Sequence, residues 1–370
     1  MPLYENKLQF SNDNNEPRVM VVGNGTALAS LFNLSMLGAL GFSRPWNSGK
    51  NQLFGNVMRY EEFDDFDAFT ESIRDIDSRM ILLNAKRRLW TSFGVDLHGV
   101  DVQIGQLGSG NLGQAALRPD GYFLYLPLTP GVEYLANGVV LADNSFAVVE
   151  PGSEFCISTK EPHDWCAVFL PMDALPDLSV LRSHSPSGQK RCWVTRPNRM
   201  AADRFRRATF QIRETATSCP DFETTEAGRI AAGAVSRAAK LALGLRETSK
   251  VGAEGRPKMS RQQIIRRCME FLEERSGSPV VVADLSGAAS VSERTLRSAF
   301  HEFFGVGPVR YLCLRRLNRI HRALRAAERE ETTVTETLVE HGEWDFGRFA
   351  SNYRQLFGEL PSETLRKKSA

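Results

Sequence analysis

Arg294, Arg297, Ser298 and His301 fall at i, i+3, i+4 and i+7, and Arg348, Ser351, Asn352 and Gln355 repeat that spacing further along the chain. Side chains at these offsets share one face of a helix. Guanidinium, hydroxyl, carboxamide and imidazole groups on such a face are the donors and acceptors that pair with base edges or hold phosphates in a major groove. Two such faces predict recognition of double-stranded DNA.

Each face needs an apolar counterpart to anchor it. In the first unit, residues 282–303, Ser292 is placed to cap a helix, and Leu296, Phe300, Phe303 and Phe304 form its inward stripe. In the second, residues 333–357, Thr333 and Glu336 make a capping-box pair and Gly342 supplies a turn. Phe346, Phe349, Tyr353, Leu356 and Phe357 are then expected to be buried. Between the units Pro308 opens a long helix, from 309 to about 327, expected to pack through Leu312, Leu317, Ile320 and Leu324 while Arg310, Arg315, Arg316, Arg319 and Arg322 stay wet. One rigid helix would set the spacing of the two readers.

Over roughly residues 262–365 these residues resemble the AraC/XylS family of bacterial transcription regulators. The likeness lies in Asp284-Leu285, Val291-Ser292, Arg294-Thr295-Leu296, Phe300, Gly305, Pro308, Tyr311-Leu312, Arg316-Leu317, Gly347-Arg348-Phe349, Tyr353-Arg354, Phe357-Gly358 and Pro361. It implies two tandem helix-turn-helix units entering successive major grooves about 34 Å apart, with Ser292, Thr295, Gly347 and Arg354 joining the DNA-binding set. It also implies RNA polymerase as a partner and activation as the output. Two departures stand out. Ser290 occupies a turn position where the family has Gly, and a left-handed Ser is expected to cost about 1 kcal/mol. Glu343 follows Gly342 where the family has Phe, and Trp344 is expected to fill that space.

The charge agrees with a polyanion partner at one end. The chain of 370 residues has a net charge of +2, but residues 256–370 hold 20 Lys+Arg against 15 Asp+Glu, a net of +5 that leaves −3 for the rest. A hydrophobic fraction of 42% with 24% charged residues is that of folded domains, not of a disordered chain. Cys156, Cys166, Cys192, Cys219, Cys268 and Cys313 include no CxxC pair and are expected to be reduced thiols. The Asn/Asp-rich run at 12–15 is the wrong start for a secretory signal, and the apolar segment 26–42 is shorter than the roughly 20 residues of a membrane span. A cytoplasmic protein without membrane contact is expected.

Upstream of about residue 180, short apolar runs (121–126, 138–141, 146–149, 166–170) alternate with Pro119-Asp120-Gly121, Pro130-Gly131, Asn137-Gly138 and Pro151-Gly152. This is the texture of an antiparallel sandwich or barrel. Residues 60–80, acidic and aromatic, carry Phe63, Phe66, Phe69 and Ile73 at helical spacing and are expected to form a helix on the sheet. Beyond Pro197, stripes of Phe205, Ala208, Ile212 and of Ile230, Ala234, Ala238, Leu241 predict two helices broken near Cys219-Pro220-Asp221.

The expected fold is therefore α+β. A cupin-like sensory domain (1–180) is followed by a helical dimerisation segment (181–247), a linker (248–260) and an AraC-type all-α domain (261–370). Tyr122, Tyr125, Tyr134, Phe146, Phe155 and Trp165 are candidates to line an effector pocket, although aromatics at strand spacing are more often core. His98, His163 and His184 lie far apart, no His-x-His occurs, and neither metal nor cofactor is expected. Gly23-Asn24-Gly25-Thr26 lacks the third Gly of a dinucleotide loop and the Gly-Lys-Ser/Thr of a P-loop. The reading that follows is a homodimeric, non-enzymatic transcription regulator responding to a small molecule. Two alternatives stay open, a zinc-thiolate alkyl-transfer repair protein with the same DNA-reading domain and a scaffold that does not bind DNA.

Overall fold

In β4 (Gly121–Pro127) every residue is buried. Tyr122, Leu124 and Leu126 enter one apolar cluster while Phe123 and Tyr125 enter another, because successive side chains of a strand leave on opposite faces. A sheet covered on both sides gives continuous apolar runs in place of strict alternation, which is how this region reads. The computed structural model describes residues 59–175, 192–219, 221–244, 260–275, 278–327 and 332–367. The loop at 23–26, the segment 26–42, His184 and all but Ser260 of the expected linker lie outside them.

The other strands are β1 (Arg59–Phe63), β2 (Ile76–Leu97), β3 (Val100–Leu117), β5 (Tyr134–Ala136), β6 (Val139–Leu141), β7 (Phe146–Val149), β8 (Glu154–Thr159), β9 (His163–Pro171) and β10 (Cys192–Thr195). Every described pairing is antiparallel. Strand β3 organises the sheet: one edge runs along β2, while the other passes from β9 (Asp101–Leu107) to β8 (Asn111–Ala116). The change of partner at Gly108-Ser109-Gly110 bends the sheet into a nearly closed barrel. Asn137 (φ 48°) and Gly138 (φ 81°) form the two-residue hairpin between β5 and β6 that their sequence predicts, and His98 (φ 56°) with Gly99 (φ 90°) does the same between β2 and β3.

Three expectations change here. Of residues 60–80 only α1 (Phe66–Ser72) is helical, capped by Asp65, whose carboxylate accepts from Ala68 N at 2.8 Å. Its flanks are β1 and the start of β2, because Tyr60 and Phe63 pair with Phe93 and Trp90. The segment expected to be helical from 181 still contains β10, which adds to the sheet edge beside β7. Helices then follow as expected, α2 (Arg199–Ser218) and α3 (Glu226–Gly244), with a left-handed Asp221 (φ 62°) at the break. They cover the Tyr122 face through Phe205 and Ile212, with Phe205 packed on Phe146 at 5.4 Å. In α3 the stripe is corrected. Ala238 is buried as expected, together with Gly228, Ala232, Val235, Ala239, Ala242 and Leu243, whereas Ile230 and Leu241 face solvent.

His163, in the wall formed by β9, is buried edge-on against Tyr134 at 5.3 Å, with Nδ1 2.9 Å from the Glu161 carbonyl. Burial pushes its pKa from 6.5 down to about 4. The unfolded chain then takes up the proton first, so stability is complete above about pH 6.5 and falls as pH drops towards about 4, by about 3 kcal/mol. Urea midpoints followed across that range are expected to show this loss, and to show it reduced in His163→Gln.

The C-terminal helices are α4 (Arg261–Glu274), α5 (Val282–Ala288), α6 (Glu293–Phe304), α7 (Pro308–Ala326), α8 (Val334–Glu340), α9 (Phe346–Phe357) and α10 (Pro361–Lys367). They share one apolar cluster with the Phe123 face of the sheet. Polar contacts fasten that seam. Asn318 of α7 accepts from Leu82 N at 3.0 Å and donates to Leu82 O at 3.3 Å. Arg322 pairs with Asp67 at 3.0 Å, Arg325 with Asp65, and Ser158 donates to Phe304 O at 2.8 Å.

Candidate nucleic-acid interface

Helices α5 and α6 form the first helix-turn-helix unit. Ser290 is left-handed (φ 53°), as its position predicts, and the turn closes through Ser290 N to Gly287 O and Val291 N to Ser286 O, both 3.0 Å. Ser292 caps α6, accepting from Thr295 N at 3.2 Å. Leu296, Ala299, Phe300, Phe303 and Phe304 are buried. Helices α8 and α9 form the second unit, with the Thr333–Glu336 capping box in place and Gly342 at φ 71°. Asp345 caps α9 by accepting from Arg348 N at 3.1 Å. Phe349, Tyr353, Leu356 and Phe357 are buried, and the Tyr353 hydroxyl ties α9 to α7 and α10 through His321 Nδ1 at 2.6 Å and Thr364 Oγ1 at 2.7 Å.

The outward faces differ in how far they are committed. On α6, Arg294 and His301 are exposed without a side-chain partner among the described residues, and Ser292 and Thr295 are spent on each other at 2.9 Å. Arg297 makes an exposed pair with Glu293 at 3.3 Å, of the kind that contributes little. Ser298 sits in a network with Glu302 at 3.0 Å and Arg261 at 3.3 Å. On α9, Gly347, Arg348, Ser351, Arg354 and Gln355 are exposed and Asn352 is half-buried. None of these side chains has a hydrogen bond or ion pair within the described residues. The second face therefore stands open while the first is half tied to the protein.

Two expectations fail around α9, for one reason. Trp344 is 71% exposed and does not fill the space beside Glu343. Glu343 instead turns inward to Arg316 at 2.9 Å and accepts from Asp345 N at 3.2 Å. Phe346 is 40% exposed and not core. Once the carboxylate takes an arginine from α7, no apolar hole is left for either ring. The arginine stripe on α7 is also less wet than expected, since Arg316 holds Glu343, Arg315 donates to Leu272 O at 2.8 Å and Arg322 holds Asp67. Trp344 and Phe346 thus stand exposed together at the start of α9, where apolar residues at helical spacing ordinarily mark a core.

The six aromatics considered for an effector pocket are all buried, and they do not gather in one place. Tyr122 and Phe146 face α2 and α3, whereas Tyr125, Tyr134, Phe155 and Trp165 lie on the other face, with Tyr125 stacked on Trp165 at 5.9 Å. A half-open cleft of about 260 Å³ lies elsewhere, lined by Tyr60, Thr91, Phe93, Ile104, Gln106, Arg213 and Thr217. Among the described residues no three His, Cys, Asp or Glu side chains come together as metal ligands. Burial pushes the Cys166, Cys192 and Cys268 thiols up to about 12, the opposite of a zinc-ready thiolate. No described helix is long and apolar enough to cross a membrane.

Residues 285–367 match the family model of a helix-turn-helix domain. The XylDLEGF operon transcriptional activator of Pseudomonas putida is 32% identical over 125 residues, which is 34% of this chain and 37% of that protein. The C-terminal part is an AraC/XylS-type helix-turn-helix domain. A probable thc operon regulatory protein of Rhodococcus erythropolis is 34% identical over 110 residues, 30% of this chain and 33% of its own. The chain thus spans about a third of the length of these curated relatives. Among solved structures, the AraC-like transcriptional activator CuxR is 13% identical over 76% of this chain and 99% of its own, with a TM-score of 0.38. In the AraC/XylS-type domain both turns, both caps and the connecting helix fall where the sequence places them.

Proposed function

We propose that this chain is a sequence-specific DNA-binding transcriptional regulator, an activator whose two reading helices α6 and α9 are held at fixed spacing by α7. The observation that carries this is the open face of α9, where Arg348, Ser351, Arg354 and Gln355 are exposed and without a partner among the described residues, beside an apolar anchor. Asn352 sits at its margin, and Trp344 and Phe346 stand at the helix N-terminus, the end that helix-turn-helix readers present to bases. On α6 the reading falls chiefly to Arg294, Arg297 and His301, with Ser292, Thr295 and Ser298 acting as positioning groups.

The reading extends to a homodimer, to a small-molecule effector and to RNA polymerase as partner, without a catalytic role. The outward Ile230 and Leu241 on α3 support self-association. The cleft between α2 and the sheet, away from the six aromatics, is the place for an effector.

Arg348→Ala tests the reading. Loss of a bidentate contact to a guanine edge is expected to cost about 1–3 kcal/mol on the selected site and nothing on duplexes altered at that base pair. Fluorescence anisotropy of the full chain on a selected and a base-substituted duplex measures it. Equal loss on both would make Arg348 a phosphate contact, and no binding of the parent to any duplex would favour the scaffold.

A further inference from the structure

The β2–β3 ladder breaks between Ala85 and Trp90, where Lys86, Arg87, Arg88 and Leu89 stand opposite Gly108 alone. Both feet of this outcrop are fixed. Trp90 Nε1 donates to Ser109 Oγ at 2.8 Å and its ring packs on Phe66 at 5.6 Å. Asn84 donates to Lys160 O at 2.6 Å and accepts from Gly110 N at 3.2 Å. Beneath it Gly108 is required, since a Cβ there would collide with the Arg87 carbonyl. A bulge anchored in this way holds its backbone in a set position.

All three cations are exposed. Lys86 pairs with Glu161, but Arg87 and Arg88 have no carboxylate partner among the described residues. The Arg88 guanidinium lies against Gly358, the left-handed residue that ends α9, and the Lys160 side chain lies against Gly305, which ends α6. Both reading helices thus finish against one basic corner of the β domain. Attraction to helix C-termini accounts for Arg88 and Lys160; it leaves Arg87 unexplained, a third cation pointing into solvent at the same corner.

We propose that Arg87 and Arg88 contact DNA phosphates, so that the β domain completes the footprint of the second reader. This rests on the DNA-binding reading above. A helix lying in a major groove is flanked by the sugar–phosphate backbone at its ends, and two arginines on an anchored bulge beside the end of α9 are placed to meet that backbone. The contact is to charge alone and adds no base preference.

The full chain and its Arg87→Ala/Arg88→Ala variant are titrated by anisotropy against a fluorescein-labelled, mixed-sequence duplex several turns long over a range of sodium chloride concentrations. Each phosphate contact contributes about 0.9 to the slope of log K against log salt, so the double variant is expected to be shallower by nearly 2, and Arg87→Ala alone by about 1. Arg87→Lys/Arg88→Lys is expected to keep the parental slope. Melting curves of Arg87→Ala should overlay the parent, and loss of Arg88 from the end of α9 should lower the melting temperature by no more than a few degrees. Unchanged slopes with DNA binding intact overturn the inference and leave the regulator reading standing. A parent chain with no salt-dependent grip on the duplex overturns both.

Discussion

Asn318→Ala is expected to destabilise the full chain by about 2–5 kcal/mol, the cost of leaving a buried N–H and a buried C=O without partners. Asn318 is 3% exposed and inserts from the middle of α7 into the edge of β2. There it accepts from Leu82 N at 3.0 Å and donates to Leu82 O at 3.3 Å, next to the register shift between Leu82 and Asn84. The side-chain amide thus plays the part of a missing strand partner at an irregularity in the ladder. No water can take over at a site buried among Leu82, Leu314 and Leu317 without opening the seam.

Because α7 also carries both reading units, the loss reaches function. Cooperative unfolding of the β and helical domains should separate into two transitions on calorimetry. Arg310→Ala, on the exposed side of the same helix, should stay within about 0.5 kcal/mol of the parent. A fall below about 1 kcal/mol for Asn318→Ala would show that apolar packing alone holds the seam.

That seam was not legible in the sequence, and the reason is physical. Local signals fix local structure. Ser292, the Thr333–Glu336 box, Pro308 and Gly342 place helix starts and turns of the reading domain because each satisfies or frees a backbone group within a few residues. The Asn137-Gly138 hairpin was legible for the same reason. Asn318 and the Asp67–Arg322 pair join residues more than two hundred positions apart, and nothing local distinguishes them from the polar face of any amphipathic helix. The inward turn of Glu343 to Arg316 is of this kind. The prediction of a filled apolar hole failed there because a charge partner on a different helix changed what the site could hold. The stripe on α3 failed at Ile230 and Leu241 because the buried face runs through Ala232, Val235, Ala239, Ala242 and Leu243, a choice between two apolar faces that the sequence of an alanine-rich helix leaves open. Strands β2 and β3, each far longer than the five or six residues usual for a strand, escaped because glycines and a basic outcrop interrupt their patterns.

Phe300→Ala is expected to cost about 3–5 kcal/mol, the range for removing a fully buried aromatic side chain. Phe300 is 0% exposed and meets Phe304 at 5.3 Å and Tyr311 at 5.4 Å, both edge-on, while Phe304 and Tyr311 stack at 4.9 Å. The trio joins α6 to the start of α7. Tyr311 in turn reaches Met269 Sδ at 3.1 Å and Gln114 of the β domain at 3.4 Å. A cavity at Phe300 therefore loosens the first reader where it is rooted, and leaves the second, held by Tyr353, His321 and Thr364, on its own footing.

Urea unfolding of the full chain should show the stability loss. Anisotropy on a selected site should show affinity falling towards that of a half-site, with the α9 half retained. Phe300→Leu, which keeps most of the volume, should recover the greater part of both. If Phe300→Ala instead left both readers equally weakened, α7 would have to transmit the damage along its length, and the two units would be one cooperative body.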